Sequence, residues 1–591
     1  MHRYLPILFF LLSTLLHAQD ILLIEGYFKK GEFEKALVGY QQLYKRNPSN
    51  SYLLQLIKTH QQLKQYGEAE KLIKERMAID KTPMLLIELG YNHQLQGDTE
   101  AAKNLYDDAL AKIDENPNYV YAVGRQLEEH SLLDQAIAAY KKAMALNPNN
   151  NFDIQLAQIY AEQGRMEDMF LSYLHFIEDK PDFINNAKRA FGDFVSENRD
   201  NENNTILKKL LLKKIQTQPH DYWYELLSWL FVQEKDYQKS FTQEKALYKR
   251  NPESLDRIVE LAVMAHNDNQ DNAAMVIFQF VLETAQDIDT KLIANQYLLD
   301  IAVENASEKD HPAINKKYEQ LFNEYGTYEQ TLSLQISYAD FLAFHLKKPD
   351  EANAFLKKSL QLKLSPFQQA SVKLKLGDIL VLQEKFNEAL IYYTQIQTNL
   401  KNSTISQEAR FRVAKTSYYK GDFDWAESQL KILKASTSQL IANDALDLKL
   451  LISDNKYEDS LRTALKLYAK ADLLSFQNRN AEAIALLDKI LTEHKGESIE
   501  DEALLKQAKL YEEKQQYDKA IANYQSIIAN YGDGILADDA LFFLGELYSE
   551  VLGEPEKAKT MYEQILFNHQ DSIYAVEARK KFRMLRGDAI N

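Results

Sequence analysis

Residues 132–150 read LLDQAIAAYKKAMALNPNN, and closely similar strings occur far away in the same chain. From Gly31 the sequence runs GEFEKALVGYQQLYKRNPSN, and from Gln516 it runs QYDKAIANYQSIIANYGD. Each copy carries a small residue followed four positions later by a bulky or aromatic one. That small residue recurs as Ala36, Ala69, Ala102, Ala136, Met169, Leu207, Ser240 and Ala274, then as roughly Ile314, Ala352, Ala389, Ala426, Ala483, Ala520 and Ala558. The first eight are separated by 33, 33, 34, 33, 38, 33 and 34 residues. A generic amphipathic bundle reproduces such a pattern once or twice, whereas a period held along a chain requires a stacked repeat.

Each marker has a physical reason. The alanine fits where two helices of one repeat cross closely. Four residues on, the same helical face carries Tyr40, Tyr106, Tyr140, Tyr173, Phe278, Tyr393, Tyr524 or Tyr562, a ring expected to fill the space against the next repeat. Asn47-Pro48, Asn116-Pro117, Asn147-Pro148, Lys180-Pro181, Gln218-Pro219 and Asn251-Pro252 end one repeat and open the next, because proline lacks the N–H that a helix interior needs. Gly90, Gly124, Gly377 and Gly545 fall in a second tight-contact slot, in the first helix of their repeats. A period of about 34 with these markers resembles the tetratricopeptide (TPR) family. The resemblance implies an all-α fold: a right-handed α-solenoid of about 15 helix-turn-helix repeats. A C-terminal closing helix, from about Tyr574 to Arg586, would cover the last apolar face.

Composition agrees. With 18 glycines and 12 prolines in 591 residues, few breakers remain for hairpins or glycine-rich loops. A single globular core does not grow to this length, but a stack of neighbour-contacting units does. After Ala274 the spacing lengthens, and the 57 residues between Ala426 and Ala483 are too many for one repeat and too few for two. One unpaired extra helix is therefore expected near 440–453. The chain divides on these spacings into a regular N-terminal array over 19–181, a divergent middle over 182–310, and a long-period array over 311–591.

The last full repeat, Tyr531 to Leu585, places Ala537, Asp538 and Ala540 at a helix start after a tyrosine and a short loop. It is similar to the repeat variant of the Tol-Pal coordinator proteins and of the TPR lipoprotein of the outer-membrane barrel-assembly machine of Gram-negative bacteria. The whole chain resembles the large exported TPR proteins common in the Bacteroidetes. At the other end, MHRYLPILFFLLSTLLHAQD has a short basic start, an apolar core and Ala18 before Gln19. This is the layout of a secretory signal peptide over 1–18, and its apolar core is too short for a membrane-spanning helix. An uncleaved anchor is the alternative reading. The chain has no cysteine, so lipoprotein attachment, disulfides and thiolate chemistry are excluded. The expectation is an exported, periplasmic or envelope-associated protein that is not a lipoprotein and has no integral membrane segment after signal cleavage.

With 70 basic and 86 acidic residues the net charge is −16, which opposes binding to nucleic acid over most of the surface. The basic run Arg579-Lys580-Lys581 with Arg583 and Arg586 reads as a solvated helix end. No zinc helix, nucleophile elbow or phosphate loop stands out, and the 12 histidines show no ligand-like spacing. Neither a cofactor nor a metal is expected. Adjacent carboxylates such as Asp107-Asp108, Glu128-Glu129, Glu512-Glu513 and Asp538-Asp539 point in different directions on a helix and read as solvated. What remains is non-enzymatic binding of a protein or peptide, with a helical envelope enzyme acting on peptidoglycan as the alternative. First helices of such stacks line a concave face that accepts extended or helical segments. By register from the alanines, its inward positions include Gln55, Lys58, Gln62, Tyr91, Gln94, Tyr121, Arg125, Gln155 and Gln158, a polar, amide-rich and nearly uncharged lining. Tyr91, Tyr121 and Arg125 are the expected anchors, because aromatic and arginine side chains dominate interface energies.

Overall fold

The computed structural model describes residues 21–433, 439–457 and 461–588; the expected signal peptide lies outside these. Among the described residues the regular structure is helical, and successive helices pack mostly as consecutive antiparallel pairs within each part of the chain. The chain divides into two compact units, Met1–Gln243 and Glu244–Asn591, whose boundary falls inside the helix Tyr237–Arg250.

In the first unit the pairs run Asn50–Gln62 with Tyr66–Met77, Met84–Leu95 with Thr99–Glu115, Val120–Glu129 with Leu133–Leu146, and Asp153–Glu162 with Met166–Asp179. Ile184–Gly192 and Glu202–Thr217 follow, the latter packing on Met166–Asp179 and Asp221–Gln233. In the second unit Asp256–Asn267 pairs with Asp271–Thr284, and the alternation continues to Pro555–Asn568 and the closing helix Ala575–Arg586. An additional helix, Gln439–Asn455, stands between the pairs Thr404–Tyr419 with Phe423–Leu433 and Thr463–Phe476 with Asn480–Glu493. It buries Ile441, Ala445, Leu448 and Ile452, a stripe at helical spacing.

All fifteen residues of the small-residue series are buried, Ile314 being the most exposed at 7%. The glycines explain the rings. A methyl group added at Gly90, Gly124 or Gly545 would sit 2.6–2.7 Å from the ring of Tyr106, Tyr140 or Tyr562, and at Gly377 it would sit closer still to Tyr393. Each tyrosine therefore lies flat on the first helix of its own repeat. This corrects the expectation that the ring serves mainly the next repeat, although Tyr140 also touches Phe152 of the next one, at a centroid distance of 5.0 Å.

The hydroxyls follow a rule as well. Tyr106 donates to Gln94 at 2.9 Å, Tyr140 to Glu128 at 2.5 Å, Tyr393 to Asp378 at 2.7 Å, Tyr562 to Glu546 at 2.5 Å, and Tyr524 to Glu512. Each acceptor stands near the end of the first helix, so a buried phenol is satisfied without water.

The turns close in two ways. Between repeats, Asn47, Asn116, Asn147, Lys180 and Gln218 are extended, with φ between −138° and −152°, as the residue before a proline must be. Within repeats the turn passes through a left-handed residue. Glycine fills that position at Gly97, Gly164 and Gly421, but Lys64, Ser131, Glu384 and Gln515 occupy it elsewhere with φ of 55–58°.

Candidate functional site

The nine inward residues lie on four successive first helices of the first unit. Gln55, Lys58 and Gln62 are on Asn50–Gln62; Tyr91 and Gln94 on Met84–Leu95; Tyr121 and Arg125 on Val120–Glu129; Gln155 and Gln158 on Asp153–Glu162. The structure joins some of them. Lys58 Nζ reaches Glu129 Oε2 at 2.6 Å, linking helices two repeats apart across the Met84–Leu95 helix between them. The same carboxylate faces Arg125, whose Nε is 3.5 Å from Oε1.

Beside this pair, Glu88 is fully buried and its Oε1 accepts from Gln126 Nε2 at 2.5 Å and meets His130 Nε2 at 2.8 Å. The Tyr91 ring stacks on His130 with centroids 3.8 Å apart and planes 19° from parallel. Burial alone would raise the carboxyl of Glu129. The Lys58 hydrogen bond and charge, with Arg125 and His130 behind them, outweigh it and hold the group below the usual carboxylate range.

The lining is therefore not the nearly uncharged surface expected from register. Glu88, Gln126, Glu129 and His130 belong to it and were missed, because Glu128-Glu129 looks like any solvated pair in the sequence. In the structure Glu128 takes the Tyr140 hydroxyl and Glu129 takes Lys58. Likewise Glu512 accepts from Tyr524, and Asp539 accepts from Tyr574 at 2.9 Å.

The expected anchors separate. Tyr91 is committed to His130, so it packs between repeats instead of standing free, and Gln94 is committed to the Tyr106 hydroxyl. Tyr121 and Arg125 are open to solvent. The tyrosine is 61% exposed with its ring edge on Phe152 at 5.2 Å, and the arginine side chain is 81% exposed. Four residues apart on one helix, they share a face. Gln62 and Gln158 are exposed around them, while Gln55 and Gln155 are half-buried. A guanidinium beside an aromatic ring on a rigid helix can grip a carboxylate or a carbonyl and cover an apolar group at once.

First helices of the second unit pair repeatedly, as Lys188 and Glu225 do in the first unit at 2.5 Å. Lys375 pairs with Asp340 at 2.7 Å, Arg412 with Asp378 at 2.6 Å, and Lys581 with Glu546 at 2.7 Å. Asp472 takes Lys415 at 2.7 Å and Lys506 at 2.9 Å. Burial would raise Asp472, but its two lysines bring it to about 2.

The helix Thr463–Phe476 also packs back on Pro366–Leu382. Gln477 Nε2 donates to the Leu382 carbonyl at 3.0 Å, Lys470 meets Glu384 at 2.8 Å, and the Phe476 ring lies 5.5 Å from Phe344. Charges and rings there are used between repeats. The same holds for Phe542, which stacks on Tyr574 at 4.3 Å, and for Phe543, whose face carries Lys509 Nζ at 4.1 Å.

Residues 502–534 and 539–572 match one tetratricopeptide-repeat family model, and residues 87–151 match a second. No curated protein sequence matches the chain. Among solved structures, the crystal structure of the APC/C hetero-tetramer Cut9-Hcn1 is 12% identical with a TM-score of 0.26, covering 95% of each chain. The structure of Naa15/Naa10 bound to HypK-THB is also 12% identical, with a TM-score of 0.31, covering 97% of this chain and 94% of that one. The matched windows contain Gly90 with Tyr106, Gly124 with Tyr140, and Gly545 with Tyr562, so the glycine-tyrosine contacts lie in stretches similar to tetratricopeptide repeats.

Proposed function

We propose that this protein is a non-catalytic scaffold of the cell envelope that captures a protein segment on the inner face of its N-terminal repeats. The observation that carries the reading is the Tyr121–Arg125 pair, held on one rigid helix and exposed at 61% and 81% beside a charge cluster that is already paired internally. Repeat solenoids offer such faces to extended or helical segments, and arginine and tyrosine are the side chains that most often anchor them. The envelope address rests on the signal-like segment at 1–18. The likeness of the last repeats to Tol-Pal coordinator and barrel-assembly proteins points to a partner that is itself an envelope protein.

The test replaces Tyr121 and Arg125 together by alanine and compares capture from an envelope extract with that of the wild-type protein. Tyr91 is left intact, since removing it would disturb the His130 stack. Hot-spot truncations cost about 2 kcal/mol or more each, so the double variant should lose its specific partner while keeping its helical content and melting temperature. An unchanged partner profile would remove this face from consideration. Sequencing the N-terminus of the native protein tests export, with Gln19 expected first.

A further inference from the structure

A polar turn in the second unit brings three metal-ligating side chains together from two adjacent repeats. His266 ends the first helix Asp256–Asn267, Asp271 begins its partner Asp271–Thr284, and Glu304 ends the next first helix, Ile288–Glu304. One ligand atom from each lies within 4.8 Å of the other two. His266 Nδ1 is 2.9 Å from Asp271 Oδ1, and Asn305 Nδ2 donates to Asp271 Oδ2 at 2.9 Å. The second oxygen of Asp271 is thus fixed by a neutral donor while the first faces the imidazole. Tyr297 holds the imidazole edge-on at 6.0 Å and is itself stacked on Phe278 at 4.8 Å. An open cavity of about 450 Å3, lined by Asn269, Gln270, Asp271, Asn272 and Asn305 among others, adjoins Asp271.

The histidine-to-turn contact by itself is structural. His60 meets Gln65 at 2.8 Å and His93 meets Asp98 at 3.5 Å, each five residues on, as Asp271 follows His266. What distinguishes the third turn is the carboxylate of Glu304 arriving from the next repeat; among the described residues, only this turn gathers three such ligands. We propose that His266, Asp271 and Glu304 bind a divalent transition-metal ion of the Zn2+ type, clamping two successive repeats together. An imidazole with two carboxylates suits zinc better than calcium or magnesium, which take oxygen ligands. The ion would replace the proton that His266 Nδ1 and Asp271 Oδ1 share, and water entering from the cavity would complete its coordination. Sequence spacing does not reveal the set, because Glu304 is 38 residues beyond His266 and joins it only through repeat stacking.

The test is calorimetric titration of the tag-free, chelator-treated full chain with ZnCl2, repeated with CaCl2. One zinc per chain is expected, with affinity falling at least about tenfold in Glu304→Gln and His266→Gln and unchanged in the control His93→Gln. Glu304 is exposed, so its variant should fold normally, and circular dichroism checks this. Absence of stoichiometric zinc binding overturns the proposal. So does zinc binding that survives Glu304→Gln, or binding of calcium in preference to zinc. X-ray absorption of the zinc-loaded wild type should show one imidazole with oxygen ligands; sites with several imidazoles would place the ion elsewhere and also overturn it.

Discussion

Gly377→Ala is the sharpest test of how the repeats are held together. In the middle of the helix Pro366–Leu382, alanine should by itself stabilise by about 0.5–1 kcal/mol, because glycine loses more backbone freedom on folding. The added methyl, however, would point into the ring of Tyr393, which is only 1% exposed and cannot swing aside. Burial, followed by the Asp378 charge, pushes the Tyr393 phenol well above its usual range, so it remains a donor to Asp378. Asp378 in turn holds Arg412 of the next repeat at 2.6 Å.

Overpacking costs about 1–3 kcal/mol and loss of a hydrogen bond to a charged group about 1.5–3. The net effect should be a local loss of about 2–4 kcal/mol. In a Tyr393→Leu background the same substitution should be neutral or mildly stabilising, giving a coupling of about 3 kcal/mol between the two sites. Hydrogen exchange read by mass spectrometry supplies the measurement. Peptides from 366–419, and those of Thr463–Phe476 that pack back on Pro366–Leu382, should open more readily in the single variant, while the more distant 500–568 stay unchanged. A neutral or stabilising Gly377→Ala in the wild-type background would refute the packing argument, and so would equal losses in both backgrounds.

Ala136→Trp should loosen repeats over 117–185 first, because Ala136 is fully buried at a helix crossing and overpacking costs about 1–3 kcal/mol or more. Uniform loosening of the whole chain by hydrogen exchange would contradict this. Tyr91→Ala should destabilise Met84–Leu95 and Val120–Glu129 by about 1 kcal/mol beyond the lost area, through the His130 stack, with local exchange rates as the readout.

Asp472→Asn should cost about 3 kcal/mol near neutral pH, since it leaves Lys415 and Lys506 facing each other without their carboxylate. The folded pKa of Asp472, about 2, lies below its ordinary 3.8. Its contribution is therefore complete above the ordinary value and fades as pH falls through 3.8 toward 2, and the variant's deficit should shrink over that window. Glu502 behaves oppositely. Burial first, then the adjacent Asp501, raise its pKa, so its contribution is present at low pH and lost as pH rises. Glu502→Gln should thus stabilise the second unit at alkaline pH by about 1–3 kcal/mol and do little below pH 4, as denaturation at the two pH values will show.

The fold was legible because its closest contacts repeat in sequence. Ala136 and Tyr140, or Gly377 and Tyr393, recur at fixed offsets, and the Asn-Pro pairs mark where one repeat hands over to the next. Other features left no such trace. Lys64 and Gln515 take the left-handed turn position that glycine takes at Gly97, so a scan for glycine misses those turns. The acceptors Glu128, Glu512 and Glu546 look like ordinary surface acids until a tyrosine from the second helix folds over them. At the candidate site, register placed Tyr121 and Arg125 on one exposed face. It could not show that Glu88, His130 and Tyr91 close on one another, because those contacts span 39 and 42 residues between helices of different repeats.

Different stretches of the chain show how a similar repeat can serve different ends, and both units contain internally paired first helices, Lys188 with Glu225 among them. A polar side chain on the inward face of a first helix can be directed to the neighbouring first helix or left for a partner. In the second unit the lysines and acids of successive helices meet each other at 2.6–2.9 Å, and the helix Thr463–Phe476 covers the end of Pro366–Leu382, so that face is engaged internally. In the first unit Lys58 holds Glu129 at 2.6 Å, so Arg125 shares that carboxylate only loosely, at 3.5 Å, and keeps its side chain 81% exposed. The internal pair and the exposed anchor are thus one arrangement. Removing the lysine with Lys58→Met should draw Arg125 onto Glu129 and weaken partner capture, although Lys58 itself need not touch the partner. The expected loss is small, about 1 kcal/mol, because surface ion pairs are weak, and it should disappear when Glu129 is also changed to glutamine. A full loss of capture in the single variant that the second change does not restore would mean that Lys58 binds the partner directly.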